Sequence, residues 1–73
     1  MTHFELFDAV GRIHSLCRTA IYLQEIILQL DPEDTDRLYA LLSLQAELID
    51  QIRDDVQAVE DELRRIVQKE QGA

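Results

Sequence analysis

Asp31-Pro32-Glu33-Asp34 is a short acidic turn that separates two segments with the same hydrophobic spacing. On each side of it, apolar residues recur at alternating intervals of three and four, which places them along one face of an α-helix. The N-terminal seam contains Leu6, Val10, Ile13, Cys17, Ala20, Gln24 and Ile27. The C-terminal seam contains Leu38, Leu42, Gln45, Ile49, Ile52, Val56, Val59, Leu63 and Ile66. Two such seams predict an all-α fold, an antiparallel two-helix hairpin similar to a coiled coil.

The start of the first helix is marked by Thr2 and Glu5, which have the spacing of a capping box. In this motif the Thr hydroxyl accepts a hydrogen bond from the third helical residue, and the Glu carboxylate accepts one from the capping residue. Helix 1 is therefore expected to span about residues 3–30. The chain has no linker or low-complexity segment, so we expect a single domain over residues 1–73.

The turn also contains signals for the start of the second helix. Asp31 is a preferred N-cap, and Pro32 suits the first helical position, where no amide hydrogen is required. These residues favour a turn over 31–34 and a helix 2 over about residues 32–69. Facing residues of an antiparallel pair have numbers with a constant sum, which is 62 for this tight turn. A longer loop would give a sum of 69, and the cap chemistry favours 62.

Composition limits how so short a chain can be stabilised. The 73 residues include one cysteine, which excludes a disulfide within the chain, and two histidines. These three side chains fall short of the four ligands of a structural zinc site. Below roughly 70–80 residues, a single core rarely supplies more than about 3–5 kcal/mol, so such chains often rely on staples or partners. Oligomerisation is the remaining route to stability.

The net charge of −8, from 15 acidic and 7 basic residues, bears on the choice of partner. An acidic surface repels the phosphates of nucleic acids and the headgroups of anionic lipids, so neither nucleic acid nor membrane is an expected partner. The most apolar run, over residues 21–30, contains Gln24, Glu25 and Gln29 and is too short to span a bilayer. The N-terminal residues lack the basic region of a signal peptide, and we expect a cytoplasmic protein.

Apolar residues outside the two seams predict a protein partner. A two-stranded coiled coil needs a seam of only about two positions in seven, and helix 1 has a wider apolar strip than that. Two hairpins packed face to face would cover the strip as a four-helix bundle, and twofold symmetry is the commonest arrangement of oligomers. We therefore expect a homodimer, or a different protein on the same strip. The expected interface residues beside the seams are Phe7, Leu16, Ile21, Leu23, Leu28, Leu41 and Leu48. With a residue sum of 62, Leu63, Ile66 and Val67 project past helix 1, and they are expected to belong to the interface as well.

Polar residues on or beside the seams have a separate expected role. Gln24 and Gln45 interrupt the seams, and a buried polar residue in a coiled coil commonly fixes the register at a cost in stability. The other interpretation is that an exposed glutamine recognises a partner. Asp55 and Glu62 are expected on the flank of helix 2, so that no carboxylate faces inward.

Few residues are suited to catalysis or to metal binding. Cys17 is expected in the seam, where a thiol packs as a small hydrophobe. His14 precedes it by three residues, a helical ligand spacing, but this pair lacks further ligands. Neither histidine belongs to the Glu-x-x-His motif of di-iron bundles, and phosphate-binding glycine loops and nucleophile motifs are absent. We therefore expect no enzymatic activity, no catalytic residue, and no metal or other cofactor.

The Leu30-Asp31 turn and the acidic start of helix 2 make the layout resemble the Rop family of plasmid regulators. Members of that family are dimeric helical hairpins that bind paired RNA loops, so the resemblance implies a four-helix bundle and an RNA partner. Helix 1 offers Arg12 and Arg18 among several acidic residues, a poor match for a ligand whose phosphates dominate affinity. No RNA-binding residue is therefore assigned from the resemblance.

The sequence as a whole favours a non-enzymatic protein–protein interaction module, such as an adaptor, a co-chaperone or an inhibitor. It would act as a homodimer and bind another protein through a helical face. In shape and charge the hairpin is similar to the small chaperones of bacterial secretion systems. The alternatives are a Rop-like RNA regulator and an orphan phage-type protein, which includes an acidic mimic of nucleic acid.

Overall fold

The computed structural model describes residues 2–72, apart from the side chain of His3, and consists of two α-helices. Helix α1 spans His3–Gln29 and helix α2 spans Thr35–Gln71. The longest dimension is 61 Å, close to the roughly 56 Å expected for the 37 residues of α2 alone, so α1 lies alongside α2. The described residues contain no strand, and the all-α prediction is confirmed. The domain predicted over residues 1–73 extends one residue beyond the described range at each end.

Helix α1 begins with the predicted capping box. The backbone N–H of Glu5 donates to Thr2 Oγ1 at 3.1 Å, and the backbone N–H of Thr2 donates to Glu5 Oε2 at 3.3 Å. Both hydrogen bonds satisfy amide groups that the first turn of a helix leaves without partners. The helix ends at Gln29, where Leu30 turns to an extended conformation with ψ of 150°.

Helix α2 begins at Thr35, three residues later than the sequence predicts, and its N-cap is Asp34 rather than Asp31. The Asp31 carboxylate accepts a hydrogen bond from Glu33 N–H at 3.0 Å, and its carbonyl accepts one from Asp34 N–H at 3.0 Å. These bonds define a β-turn with Pro32 in its second position. The tight helix start was wrong because proline has the same φ, about −65°, in this turn and at the first position of a helix.

Some of the residues that pack between the two helices each precede by one position in the sequence the residue that was predicted there. We call the full set of residues between the helices the seam. In α1 and at its C-cap, the seam consists of Leu6, Ala9, Ile13, Leu16, Ala20, Leu23, Ile27 and Leu30. In α2 it consists of Leu38, Leu41, Gln45, Leu48, Ile52, Asp55, Val59, Glu62 and Ile66. Of the residues that the sequence wrongly placed in the seam, Cys17 and Val56 are half-buried, and the others are exposed: Val10, Gln24, Leu42, Ile49 and Leu63. The observed seam of α1 encloses Leu16 and Leu23 instead of Cys17 and Gln24, which buries more apolar area.

The register follows from the seam residues of the two helices. A residue-number sum of 68 pairs every seam residue of α1 with one of α2, from the turn to Leu6 and Glu62. Glu62 is only 6% exposed, so it lies beside α1; a sum of 62 would place it beyond the start of that helix. One surface groove is lined by both Arg12 and Asp55, whose numbers sum to 67. The tight-turn sum of 62 is therefore wrong, and the sum of 69 is correct to within one residue.

The hairpin leaves much of its surface uncovered. Its accessible surface is 6046 Å², whereas a compact monomer of 8.5 kDa would have about 4,650 Å². Its radius of gyration is 17.1 Å, against about 11 Å for a compact chain of this length. Among residues 2–72, the apolar residues that are buried are Ala9 and Leu23. Two helices side by side thus form only a thin core.

Candidate interaction face

One side of the hairpin has large, exposed apolar side chains along its length. These side chains flank the seam, and we call them together the apolar face. On α1 the apolar face consists of Phe7, Val10, Ile21 and Leu28, and on α2 it consists of Leu42, Ile49 and Leu63. Their exposed fractions range from 45% at Leu63 to 79% at Phe7. Contiguous apolar patches larger than a few hundred Å² usually mark an interaction site.

The two helices contribute to the same side of the hairpin for a geometric reason. If the seam residues occupy heptad positions a and d, Val10 and the apolar residues of α2 occupy position e, and Phe7, Ile21 and Leu28 occupy the adjacent position b. In an antiparallel pair the e positions of both helices lie on one side of the seam. The contributions of α1 and α2 therefore adjoin to form one surface.

The opposite flank of the seam is different in character. It consists of heptad position g: Glu5, Arg12, Thr19 and Ile26 of α1, and Leu44, Gln51, Ala58 and Arg65 of α2. Its large exposed apolar residues, Ile26 and Leu44, both lie in the half of the hairpin nearer the turn. The remainder of this flank is polar or small. One side of the hairpin thus has large exposed apolar residues along its length. The opposite flank has them near the turn, and at the free end Phe7 also borders it, in a groove with Arg12 and Gln51.

The ten residues predicted for an interface fall into two groups. Half of them are exposed, as an interface of the free hairpin requires: Phe7, Ile21, Leu28, Leu63 and Val67. The other half lie in the seam and pack within the hairpin: Leu16, Leu23, Leu41, Leu48 and Ile66. The expectation that the four leucines of the second group flank the seam was wrong, because it followed from the seam phase corrected above. Ile66 was predicted in the seam but beyond the end of helix 1, which followed from the residue sum of 62. The structure adds Val10, Leu42 and Ile49 to the exposed group.

The two glutamines occupy different environments. Gln45 lies half-buried in the seam, level with Leu23, and its Oε1 atom is buried with no hydrogen-bond partner within the described part of the chain. Leaving such an acceptor unsatisfied costs about 1–3 kcal/mol. Gln24 is exposed beside the apolar face, so its predicted place in the seam was wrong. The register-setting interpretation therefore applies to Gln45 alone.

The second half of α2 places two carboxylates in the seam, contrary to the sequence prediction. Glu62 is buried and forms an ion pair with the Arg65 guanidinium, whose side chain is largely exposed. Asp55 is half-buried and accepts a hydrogen bond from Gln51 Nε2 at 3.1 Å. Removing a carboxylate from water carries a cost that its ion pair offsets only in part. The seam is therefore less favourable at this end than beside the turn.

Cys17 and His14, the candidates for reactivity or metal binding, lie outside the seam, and Gly11 faces open space. Cys17 is half-buried and free, and His14 is exposed; both stand at flanking heptad positions next to the apolar face. The predicted burial of Cys17 in the seam is corrected accordingly. Among the described residues, no group of three or more His, Cys, Asp or Glu side chains is placed to hold a metal ion. A Cβ atom on Gly11 would meet nothing within 4 Å, so α2 does not approach α1 closely there.

Charged residues of α2 form local ion pairs on its exposed side. Arg53 pairs with Asp50 at 3.0 Å and Arg64 with Asp61 at 3.4 Å, each three residues apart. Exposed pairs at this spacing contribute about 0.2–0.5 kcal/mol each. Within residues 2–72, neither helix has a stretch long and apolar enough to cross a membrane.

Comparisons of the chain with protein-family models, with curated proteins and with solved structures find no match. The geometry of the hairpin is therefore the available guide to its function. Its most distinctive surface is the apolar face, which the two helices leave exposed together.

Proposed function

We propose that this protein is a non-enzymatic protein–protein interaction module that works as a homodimer, in which two hairpins pack through their apolar faces into a four-helix bundle. The single observation that supports this proposal is the apolar face itself. It adjoins the thin core of the hairpin, so a second hairpin would extend that core rather than add a separate contact. In this form the protein would act as an adaptor, a co-chaperone or an inhibitor for another protein.

The size of the apolar face fits a stable dimer. Helix α1 has 27 residues and is about 40 Å long, and the hairpin is 16 Å wide. The projected area is therefore about 650 Å² per protomer, close to the roughly 800 Å² that each partner buries in a standard interface. The accessible surface of the hairpin, well above that of a compact monomer, also agrees with a protein whose folded form includes a partner.

A pair of matched variants tests the proposal. Ile21 and Ile26 are both on α1 and are exposed by 56% and 51%, but only Ile21 belongs to the apolar face. Ile21→Asp would bury an unpaired charge from each protomer, at about 3–5 kcal/mol each, so the dimer should dissociate at least 100-fold more readily. Ile26→Asp, on the opposite flank, should leave the dissociation constant within about threefold of the wild type.

The measurement is sedimentation equilibrium from 1 to 100 μM, with circular dichroism at 222 nm to show that each variant remains helical. The wild type should sediment at about 17 kDa, twice the 8.5 kDa of the chain. A helical wild-type monomer at 100 μM would refute the proposed dimer. Equal effects of the two substitutions would show that the apolar face is not the contact surface.

A further inference from the structure

We infer that the two hairpins of the dimer pack with both turns at the same end, so that α1 of one protomer lies on α2 of its partner. This inference rests on the proposed homodimer and specifies its twofold axis, which runs parallel to the helices. The occupant of the apolar face is a second copy of this chain. Three features support it: the heights of the apolar residues, the charges that flank them and the shared register of the hairpin.

The heights of the apolar residues favour an axis parallel to the helices. Rotation about such an axis leaves every residue at its own height, so the residue sum of 68 within the hairpin also relates α1 to the partner's α2. The largest exposed side chains then match almost level, each with a sum of 70. The matched residues are Phe7 with the partner's Leu63, Ile21 with the partner's Ile49, and Leu28 with the partner's Leu42. A difference of two residues is about 3 Å along a helix.

An axis perpendicular to the helices matches the largest exposed side chains less completely. It would stack α1 on the partner's α1 and α2 on the partner's α2, with one axis position setting both registers. If Phe7 lies level with the partner's Leu28, facing residues of the two α1 helices have numbers that sum to 35. Because facing residues within each hairpin sum to 68, those of the two α2 helices then sum to about 101. Ile49 would then lie nearly level with the partner's Arg53, an apolar residue opposite a charge. An axis shifted by two residues toward the N-terminus brings Val10 level with the partner's Ile21 and Leu42 level with the partner's Leu63. It places Phe7, the most exposed residue of the apolar face, opposite the polar Gln24 of the partner subunit.

Charge complementarity favours the same arrangement. Arg18 and Asp50 both stand at heptad position f, on the border of the apolar face, and their numbers sum to 68. With the axis parallel to the helices, Arg18 lies level with the partner's Asp50, and this contact occurs twice in the dimer. With the axis perpendicular to the helices and near residue 18, Arg18 would instead approach the partner's Arg18. Opposite charges at an interface fix its register, whereas like charges oppose it.

The distance between the two turns distinguishes the two arrangements. The probe is a nitroxide spin label on Glu33→Cys, an exposed turn position, in a Cys17→Ala background, with distances measured by double electron–electron resonance. With both turns at one end, the labels are separated by the width of a bundle whose helices lie 8–10 Å apart, so we expect about 15–25 Å. If the axis is perpendicular to the helices and crosses α1 near residue 17, each label lies sixteen residues away from the axis. The labels would then be about 48 Å apart.

A charge exchange provides a second readout that does not need a label. Arg18→Glu should weaken the dimer about 5- to 20-fold, because it replaces two attractive contacts by two repulsive ones. Adding Asp50→Arg should restore much of the affinity. The single variant Asp50→Arg is the control, because Asp50 also pairs with Arg53 within α2. In the perpendicular arrangement Arg18→Glu would only exchange one pair of like charges for another, with no loss of affinity.

The outcomes separate this inference from the proposed function. A short distance together with rescue of Arg18→Glu by Asp50→Arg supports the arrangement. A stable dimer with a distance near 48 Å, or with an affinity that Arg18→Glu leaves unchanged, overturns the arrangement but not the dimer. A monomeric labelled protein and a monomeric wild type would overturn both. The unlabelled Cys17→Ala protein, measured by sedimentation, verifies that the background substitution preserves the dimer.

Discussion

Replacing Gln45 by leucine tests the side chain that interrupts the seam. Gln45 is level with Leu23, one of the buried residues of α1, and its Oε1 atom is buried without a hydrogen-bond partner among the described residues. Leucine at this position would remove the unsatisfied acceptor and extend the leucine-rich part of the seam. Leucine and glutamine have similar helix propensities, so the backbone contributes little to the difference.

The expected gain follows from the cost of the unsatisfied acceptor, about 1–3 kcal/mol. In a domain of 60–100 residues, 1 kcal/mol shifts the melting temperature by about 4–8 °C, so Gln45→Leu should raise it by about 4–24 °C. The matched control is Gln68→Leu, an exposed position of the same helix, which should change the stability by less than about 0.5 kcal/mol.

The assay is urea and thermal unfolding followed by circular dichroism at 222 nm, at equal protein concentrations. Several concentrations are needed because dimerisation makes the apparent stability depend on concentration. Sedimentation of the variant shows whether the substitution alters the oligomeric state, as expected if Gln45 also fixes the register. An unchanged or lower stability for Gln45→Leu, with Gln68→Leu unchanged, would refute the placement of Gln45 in the seam.

Three further substitutions test other parts of the hairpin. Gly11→Ala should stabilise it by about 1 kcal/mol, because the added Cβ meets open space and alanine favours a helix; an unchanged melting temperature would contradict this. Thr2→Ala should cost about 0.5–2 kcal/mol by removing the capping box, and a Thr2→Ser variant should retain most of the stability. Glu62→Leu should stabilise the hairpin by about 1–3 kcal/mol, because it removes a buried carboxylate while Arg65 remains solvated. The gain should appear as slower amide hydrogen exchange near Leu6. Faster exchange would show that the carboxylate stabilises that end.

The number of helices and the first cap were predictable because their signals are local. The periodic apolar residues gave two helices, and Thr2 with Glu5 gave the capping box that is observed. The start of α2 was not predictable from Asp31 and Pro32, since both residues suit a β-turn as well as a helix start. The hydrogen bonds of Asp31 show that the turn was the outcome.

The phase of the seam was ambiguous for a different reason. Leu6, Ile13 and Ala20 belong to both possible seams, and apolar residues follow Leu6 and Ile13 at both three and four positions. Leucines such as Leu16 favoured the observed phase, but Glu62 opposed it, and the sequence pattern does not weigh a buried carboxylate against an exposed leucine. The packing of the whole hairpin decides between them.

The α1 part of the apolar face was predictable and the α2 part was only partly so. Phe7, Ile21 and Leu28 lie outside both possible seams, and their prediction as interface residues agrees with their exposure. On α2, exchanging the two phases exchanges Leu41 and Leu48 for Leu42 and Ile49, so the predicted interface contained two residues that lie in the seam. The sequence did contain a signal for the observed phase. In that phase, the largest exposed apolar residues of α1 and α2 lie at similar heights along the hairpin axis.

The uneven seam also determines the order in which this hairpin opens. Beside the turn the seam is lined by leucines, whereas at the free ends it contains Asp55 and Glu62. Local unfolding begins where few apolar contacts hold a segment, so the free ends fray first and the half next to the turn opens last. That half is also closest in sequence, and contacts between near neighbours form fastest. The leucines next to the turn are therefore the expected folding nucleus, and the chain closes from its turn toward its ends.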